Sequence, residues 1–179
     1  DKFDELYESY EKDESIPKKT IGAQKLILDL LKERAETGRL YIMNIDHCND
    51  HSSFKDKVSM SNLCQEITLP TDPIQHIDGS GEIALCILSA INVGKIKNLD
   101  EIDELCELAV RGLDALIDYQ QYPVNAAKQS TLNRRSLGIG YIGLAHYLAK
   151  NGAKYDSEKA FDLVHKLTER FQFALLTAS

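Results

Sequence analysis

The sequence predicts an α/β fold in which helices alternate with buried, parallel strands. Two β-prone runs, 40–45 and 83–91, are apolar on both faces, as parallel strands covered by helices on both sides are. The chain has 179 residues and is 43% hydrophobic, enough for a real core within one or at most two domains. Because only two or three strands are visible, the sheet is expected to be incomplete here, with further strands supplied from elsewhere.

The first half of the chain is predicted as two helices, a strand and a loop. Aromatic and leucine side chains repeat at helical spacing over 2–13, which predicts a short amphipathic helix. Thr20 is the expected N-cap of a stronger helix, and Gly38 lies just past its end. The buried strand 40–45 follows, and the polar segment 46–60 is expected to be loop.

The second half is predicted as an extended run, a second strand and three helices. The run 61–69 leads through proline turns to the strand 83–91. The clearest helix occupies about 100–120, and a further helix covers 141–150 before the last begins near Ser157. The buried stripe of the clearest helix is expected to be Ile102, Leu105, Cys106, Ala109, Leu113, Leu116 and Ile117. The last helix is expected to bury Phe161, Val164, Leu167 and Phe171.

Charge and hydropathy exclude several classes of protein. With 21 basic and 28 acidic residues the net charge is −7, which argues against a nucleic-acid-binding surface. The longest nearly uncharged stretch, 83–93, is too short to cross a membrane, and no signal peptide opens the chain. The four cysteines are therefore expected to be reduced thiols in a cytoplasmic protein. Because the chain starts without Met and ends inside a helical pattern, it is expected to be a piece of a longer protein.

Two motifs are weighed as binding sites. The segment 138–143 is a literal GxGxxG, but no buried strand precedes it and no acidic residue ends a following strand, so packing of helices through small residues is favoured. His47, Cys48 and His51 could ligate a metal, yet the sequence lacks a second closely spaced pair of such residues. They are interpreted as loop residues with no metal site, and a metal-binding module stays open as an alternative.

Three side chains around Cys64 are expected to share one face. In an extended segment Asn62, Cys64 and Glu66, at positions i−2, i and i+2, point the same way. No Lys, Arg or His lies within several residues and Glu66 would oppose a thiolate, so the pattern suits chemistry by a neutral thiol. A buried structural cysteine is the alternative. Cys106 is interpreted as a core residue, whereas Cys86 is either a core residue or directed to a site.

Five segments carry a resemblance to a known family. They are LYIMNIDHC at 40–48, SNLCQEI at 61–67, GEIALC at 81–86, LDALIDY at 113–119 and RRSLGIG at 134–140. In this order they resemble the catalytic large subunit of class I, aerobic ribonucleotide reductase. The resemblance implies that 1–179 is a fragment of the catalytic barrel domain. That domain is a ten-stranded α/β barrel with a central finger loop, which SNLCQEI matches.

The resemblance also implies radical-based reduction of ribonucleoside diphosphates to 2′-deoxyribonucleoside diphosphates. Cys64 matches the cysteine that becomes a thiyl radical and abstracts the ribose 3′-hydrogen. Glu66 matches the carboxylate that takes the 3′-hydroxyl proton, and Asn62 matches the amide that holds the ribose hydroxyls. Ser61 and Leu63 join Asn62 and Glu66 as the implied substrate-binding residues.

The resemblance implies that reducing equivalents come from a thiol pair. Cys86 matches one of the two thiols that end as a disulfide. In the family its partner lies upstream, and it is expected to be absent from this chain, since neither Cys48 nor Cys106 matches it. No cofactor is implied for this chain itself. A separate radical-generating small subunit carries a dinuclear iron tyrosyl-radical centre, and thioredoxin or glutaredoxin is the reductant.

The implied partners are therefore the substrate, that small subunit and the remaining segments of the large subunit, which is a dimer in the family. The chain alone is not expected to turn over. A non-catalytic scaffold fragment of the same barrel is the alternative function.

Overall fold

The structure is a computed structural model that describes residues 2–76 and 79–179. The elements found in these ranges are α1 (Phe3–Lys12), α2 (Ala23–Thr37), α3 (Ile45–Asp50), β1 (Leu88–Asn92), α4 (Glu101–Tyr119), α5 (Asn125–Arg134), β2 (Gly138–Ile142), α6 (Leu144–Lys150) and α7 (Glu158–Ala178). The chain divides into two compact units, and the second begins at Ile45.

The first unit contains the two helices that the sequence predicts. The second helix, α2, begins after Gly22, so the expected N-cap at Thr20 is wrong. Its end is as predicted: Gly38 has a φ of +66°, and its N–H donates to the Arg34 carbonyl at 2.9 Å. Neither helix contains a buried residue.

The run 40–45, predicted as a buried strand, is not a strand. Residues 40–44 are irregular, and Ile45 begins α3, so the predicted loop 46–60 is helical over its first part. The sheet in the described residues consists of β1 and β2. A β-prone composition reflects fit to a pleated, half-buried surface, and Tyr41 and Ile42 are exposed here.

The two strands form a parallel pair. The register runs from Leu88 opposite Gly138 to Asn92 opposite Ile142, and α4 and α5 provide the crossover connection between the strands. The predicted α/β class, with parallel strands joined by helices, is confirmed.

The predicted strand 83–91 is shorter than expected because its first half makes other hydrogen bonds. Glu82 pairs with Asp72 in an isolated antiparallel bridge. The N–H of Ile83 donates to the Ala126 carbonyl at 3.3 Å. Residues 82–86 therefore lie outside the parallel ladder, whereas the carbonyl of Ile87 accepts from the Gly138 N–H at 2.9 Å.

The glycine motif 138–143 spans β2 and the turn into α6, so its predicted role in helix packing is wrong. A Cβ added at Gly138 would lie 2.6 Å from the Cδ2 atom of Leu88, so glycine lets the strands approach closely. Gly143 has a φ of +79° and turns the chain into α6. The predicted helix 141–150 therefore begins three residues later than expected.

The core of the second unit lies between the sheet, α4, α6 and α7. Its buried members are Ile91, Val93, Ile96, Ile102, Cys106, Tyr147, Leu148, Ala160, Leu167, Phe171 and Ala174. The predicted stripe of α4 is confirmed at four buried residues, Ile102, Cys106, Leu113 and Ile117. Leu105 and Ala109 are half-buried, and the prediction of burial is wrong for Leu116, which is exposed.

The last helix, α7, packs one face against α4 and the sheet. Leu167 and Phe171 are buried as predicted and Val164 is half-buried, whereas Phe161 is 62% exposed and its predicted burial is wrong. The buried face of α7 passes through Ala160, and the next residue lies about 100° around the helix from it. That rotation turns the Phe161 ring away from the core.

Candidate active site

A cavity of about 400 Å³ lies in the second unit, within the size range of small-molecule sites. Its lining residues fall in three stretches, 59–62, 67–74 and 82–86. The first two stretches flank the segment that resembles a finger loop, and the third is the irregular run before β1. The cavity therefore lies between the two segments to which the sequence assigns functional cysteines.

The finger loop, residues 61–67, is a turn and not an extended segment. The N–H of Gln65 donates to the Asn62 carbonyl at 3.1 Å, and Gln65 has a φ of +60°. The side-chain oxygen of Asn62 accepts from the Ile67 N–H at 3.1 Å, and the Ser61 hydroxyl donates to the Ile67 carbonyl at 2.6 Å. The predicted extended geometry is wrong because these side chains offer the backbone local partners that favour a turn.

The structure brings three predicted site residues to the same cavity. Ser61 and Asn62 line one side of it, and Cys86 lines the other. The thiol of Cys86 is exposed, so the alternative that it is a core residue is wrong in this structure.

The other predicted site residues lie on the turn itself. Among the described residues, those that line the cavity do not include Leu63, Cys64 or Glu66. All three are exposed, Leu63 to 90%, so the alternative of a buried structural cysteine at Cys64 is wrong in this structure. Their roles toward a substrate stay predictions.

The family model described as the ribonucleotide reductase barrel domain matches residues 1–179. The chain belongs to this family. The predicted resemblance and the assignment to the reductase barrel are therefore confirmed. Within 2–76 and 79–179 the barrel sheet is represented by one parallel pair of strands, which does not close on itself.

Curated relatives support the same assignment. The chain is 60% identical to the ribonucleoside-diphosphate reductase subunit alpha of Haemophilus influenzae, over 100% of this chain and 24% of that relative. It is 53% identical to the reductase 1 subunit alpha of Escherichia coli, with the same coverage, and 35% identical to the large subunit of Dictyostelium discoideum, over 97% of this chain and 21% of the relative. The chain thus spans about a quarter of the length of these relatives.

One feature of the barrel site was not predicted from the sequence, an ion-pair network behind the cavity. Arg134 donates from Nε and Nη2 to Glu82 Oε2, at 2.9 and 2.6 Å, and from Nη1 to Asp56 Oδ2 at 2.7 Å. Partial burial lowers the pKa of Arg134, but the hydrogen bonds to Glu82 and Asp56 outweigh it, so that its pKa is raised. Arg134 and Glu82 both lie in segments that carry the family resemblance, 134–140 and 81–86. Because 52 positions separate them, their pairing cannot be recognised from a single sequence.

A glycine lets the third stretch of cavity-lining residues, 82–86, pack closely against the second stretch, 67–74. Gly81 has a φ of +138°, and a Cβ there would lie 2.9 Å from the Pro73 carbonyl oxygen and 3.0 Å from Ile74 Cγ1. The bridge between Asp72 and Glu82 follows directly. A residue without a side chain is therefore required where the two stretches meet at the cavity.

The alternative of a metal-binding module gains no support from the barrel. His47 and Cys48 lie on α3 and His51 follows it. In the part of the chain that the structure describes, no group of three or more His, Cys, Asp and Glu side chains could hold a metal ion.

Among the described residues, no helix is both long and apolar enough to cross a membrane.

Cys106 is a core residue, as predicted. Its side chain is fully buried on α4. Burial raises the pKa of this thiol, and the negative charge of Asp103 raises it further. Cys106 is therefore a neutral packing residue, set apart from the exposed thiols of Cys64 and Cys86.

Proposed function

We propose that the protein containing this chain reduces ribonucleoside diphosphates to 2′-deoxyribonucleoside diphosphates. The observation that carries the proposal is that Asn62 and Cys86, from separate segments, line one cavity beside the turn that bears Cys64. The relatives described above are named ribonucleoside-diphosphate reductases, which supports this substrate class. On this proposal residues 1–179 are part of one catalytic barrel domain.

The first half of the proposed reaction creates and uses a radical on Cys64. Loss of one hydrogen atom from the neutral thiol leaves a thiyl radical, which takes the 3′-hydrogen of the ribose and becomes a thiol again. Glu66 accepts the 3′-hydroxyl proton, a role that requires it to lie within hydrogen-bond reach of that proton. Asn62 holds the ribose hydroxyls, and Ser61 and Leu63 complete the contacts with the nucleotide. The 2′-hydroxyl takes a proton from one of the two redox thiols and leaves as water.

The second half returns electrons to the sugar. Cys86 and a second thiol from outside this chain together supply two electrons and two protons, and a disulfide forms between them. Glu66 returns its proton to the 3′-oxygen, and Cys64 gives its hydrogen back to C3′ and is a thiyl radical again. The net reaction converts one ribonucleoside diphosphate and one dithiol into the 2′-deoxyribonucleoside diphosphate, one disulfide and water. Thioredoxin or glutaredoxin restores the dithiol by exchange.

The proposal also includes partners. A separate small subunit, which carries a dinuclear iron tyrosyl-radical centre, generates the radical. The remaining segments of the large subunit complete the barrel, and the assembly acts as a dimer in the cytoplasm. The 179-residue chain by itself is expected to be inactive.

The test compares variants of the complete large subunit, assayed with the radical subunit, a dithiol and a ribonucleoside diphosphate. Cys64→Ala is expected to abolish formation of deoxyribonucleotide. Cys48→Ala is the matched control, because Cys48 is half-buried on α3, and it is expected to retain activity.

Product formation by Cys64→Ala would remove Cys64 from the mechanism. Inactivity of the unsubstituted enzyme, in an assay where another complete reductase works, would favour the scaffold alternative.

A further inference from the structure

We infer that Arg134 is a positioning residue for Cys86. Its ion pair with Glu82 holds the segment 82–86, here called the thiol wall, in place at the edge of the cavity. The inference rests on the proposed function in one respect, that the Cys86 thiol must reach the ribose.

The ion pair is shielded from water on both sides. The side chains of Arg134 and Glu82 are only 18% and 17% exposed, whereas Asp56, the outer partner, is 65% exposed. Two donors of one guanidinium converge on a single oxygen of Glu82. Loss of the arginine would leave a carboxylate uncompensated in a shielded place, so the thiol wall would have to move to bring Glu82 into water.

Glu82 is fixed at the start of the thiol wall through its backbone as well. Its N–H donates to the Asp72 carbonyl at 3.1 Å and its carbonyl accepts from the Asp72 N–H at 3.3 Å. Four residues later the wall ends at Cys86, which lines the cavity. Because the residues between Glu82 and Cys86 lie outside the parallel ladder, a displacement of Glu82 is expected to displace Cys86 as well.

Arg134 also lies directly behind the wall. Together with Ala84 and Leu85 it lines a second cavity, of about 10 Å³, and the same two residues face the larger cavity. Among the described residues, those that line the larger cavity do not include Arg134. It therefore supports the wall from the side away from the substrate, and its loss should displace the thiol while leaving the contacts assigned to Ser61 and Asn62, on the other side of the cavity, in place.

Thiol placement matters for the rate because hydrogen transfer requires close contact between the reacting atoms. A misplacement of about 1 Å can cost about 10²-fold in rate. Removal of Arg134 is thus expected to lower kcat and to leave KM unchanged.

The neighbouring arginine provides a matched control. Arg135 directly follows α5 and binds two carboxylates, with Nε at 2.7 Å from Asp114 Oδ1 and Nη1 at 2.9 Å from Asp118 Oδ1. Both partners lie on α4 and not on the thiol wall. Arg135→Gln therefore removes ion pairs that do not involve the thiol wall and whose carboxylates are more exposed than Glu82, at 48% and 64% against 17%.

The experiment uses the complete enzyme with Arg134→Gln, Glu82→Gln, the double variant and Arg135→Gln. The readouts are kcat, KM and the rate at which iodoacetamide alkylates Cys86, measured by peptide mass spectrometry with Cys64 as internal reference. Arg134→Gln is expected to lower kcat about 10²-fold at constant KM and to change the alkylation rate of Cys86 severalfold relative to Cys64, because it moves the thiol from its position at the cavity. Arg135→Gln is expected to change neither quantity.

The double variant keeps the inference testable if the single variant folds poorly, because the one charge that it leaves without its partner, Asp56, is 65% exposed to water. It is expected to be no worse than either single variant, as for two residues that act as a pair. Equal losses of kcat in Arg134→Gln and Arg135→Gln, with unchanged alkylation of Cys86, would show that Arg134 is merely structural. If the unsubstituted enzyme reduces no nucleotide, the proposed function fails, and the alkylation rates still decide whether Arg134 positions Cys86.

Discussion

The side-chain oxygen of Asn62 accepts a hydrogen bond from the Ile67 N–H at 3.1 Å, across the turn that carries Cys64. The oxygen of this amide thus closes the finger loop, and its NH₂ group is the part suited to hold a ribose hydroxyl by donation. The oxygen of the Asn62 side chain thus has a structural role, and its NH₂ group has a proposed role in substrate binding. Substitutions that remove only one of these groups can test the two roles separately.

Asn62→Asp is expected to keep the loop and lose the reaction. Aspartate retains an oxygen that accepts from Ile67 but has no NH₂ donors, so thermal stability should be preserved while nucleotide reduction falls sharply. Asn62→Ala should lose both, with a stability cost of about 1 kcal/mol for the lost hydrogen bond. Thermal unfolding and initial rates on the same preparations provide the check. Full activity of Asn62→Asp would show that the NH₂ group does not act on the substrate.

The helices could be predicted from the sequence more accurately than the strands. The apolar stripe of α4 has a local period of 3.6 residues, so most of its buried face was visible in the sequence. β2 was missed because its sequence, GIGYI, has little of the side-chain pattern of a strand and depends on pairing with β1. The strand prediction for 40–45 is wrong for the converse reason, since this segment has the composition of a strand but is not part of the described sheet.

The site shows the same division between local and distant information. The residue types and i−2, i, i+2 spacing of Asn62, Cys64 and Glu66 make them candidates, and the family resemblance implies their roles. The extended geometry predicted for them is wrong, because hydrogen bonds of the Asn62 side chain favour a turn. The pairing of Arg134 with Glu82 could not be predicted, because it requires α5 to bring two distant segments together. The local sequence therefore indicates the candidate residues, whereas the ion pair that holds the segment of Cys86 becomes visible only in the folded structure.

The glycines of the 138–143 motif are expected to differ in their tolerance of alanine. Gly143→Ala should destabilise the protein by about 1–3 kcal/mol, since φ is positive and the new Cβ would collide with the Asn92 side-chain oxygen. Gly140→Ala should leave stability unchanged or raise it by about 0.5–1 kcal/mol, because no atom lies within 4 Å of the new Cβ. Denaturant unfolding of the two variants measures the contrast. Equal effects would contradict the assigned turn at Gly143.

Thr131→Val is expected to stabilise the protein. Thr131 is buried on α5, and within the described chain its hydroxyl makes no hydrogen bond. A buried hydroxyl without a partner costs about 1–3 kcal/mol, so replacement by a methyl group of similar shape should raise the free energy of unfolding by about 1 kcal/mol. Thr131→Ser, which keeps the hydroxyl and removes the methyl group, is the control and should destabilise. A loss of stability in Thr131→Val would show that the hydroxyl is hydrogen-bonded in solution.

Stability is expected to fall as the pH rises above the ordinary pKa of cysteine, about 8.5, and Cys106 is one cause. Burial, followed by the charge of Asp103, raises the pKa of this thiol in the folded protein. Above that pH the unfolded chain therefore loses the proton while the folded chain keeps it, which favours unfolding. Burial raises the pKa of Tyr147 as well, which adds a loss of the same sign above about pH 10.

The measurement is the free energy of unfolding between pH 7.5 and about pH 10, where the ordinary pKa of tyrosine sets the upper limit. Cys106→Ala should flatten the decline above about pH 8.5. In the folded protein, iodoacetamide should modify the exposed Cys64 and Cys86 first and reach Cys106 only on unfolding, because that thiol is both buried and protonated. An identical decline in Cys106→Ala, or early alkylation of Cys106, would contradict its burial.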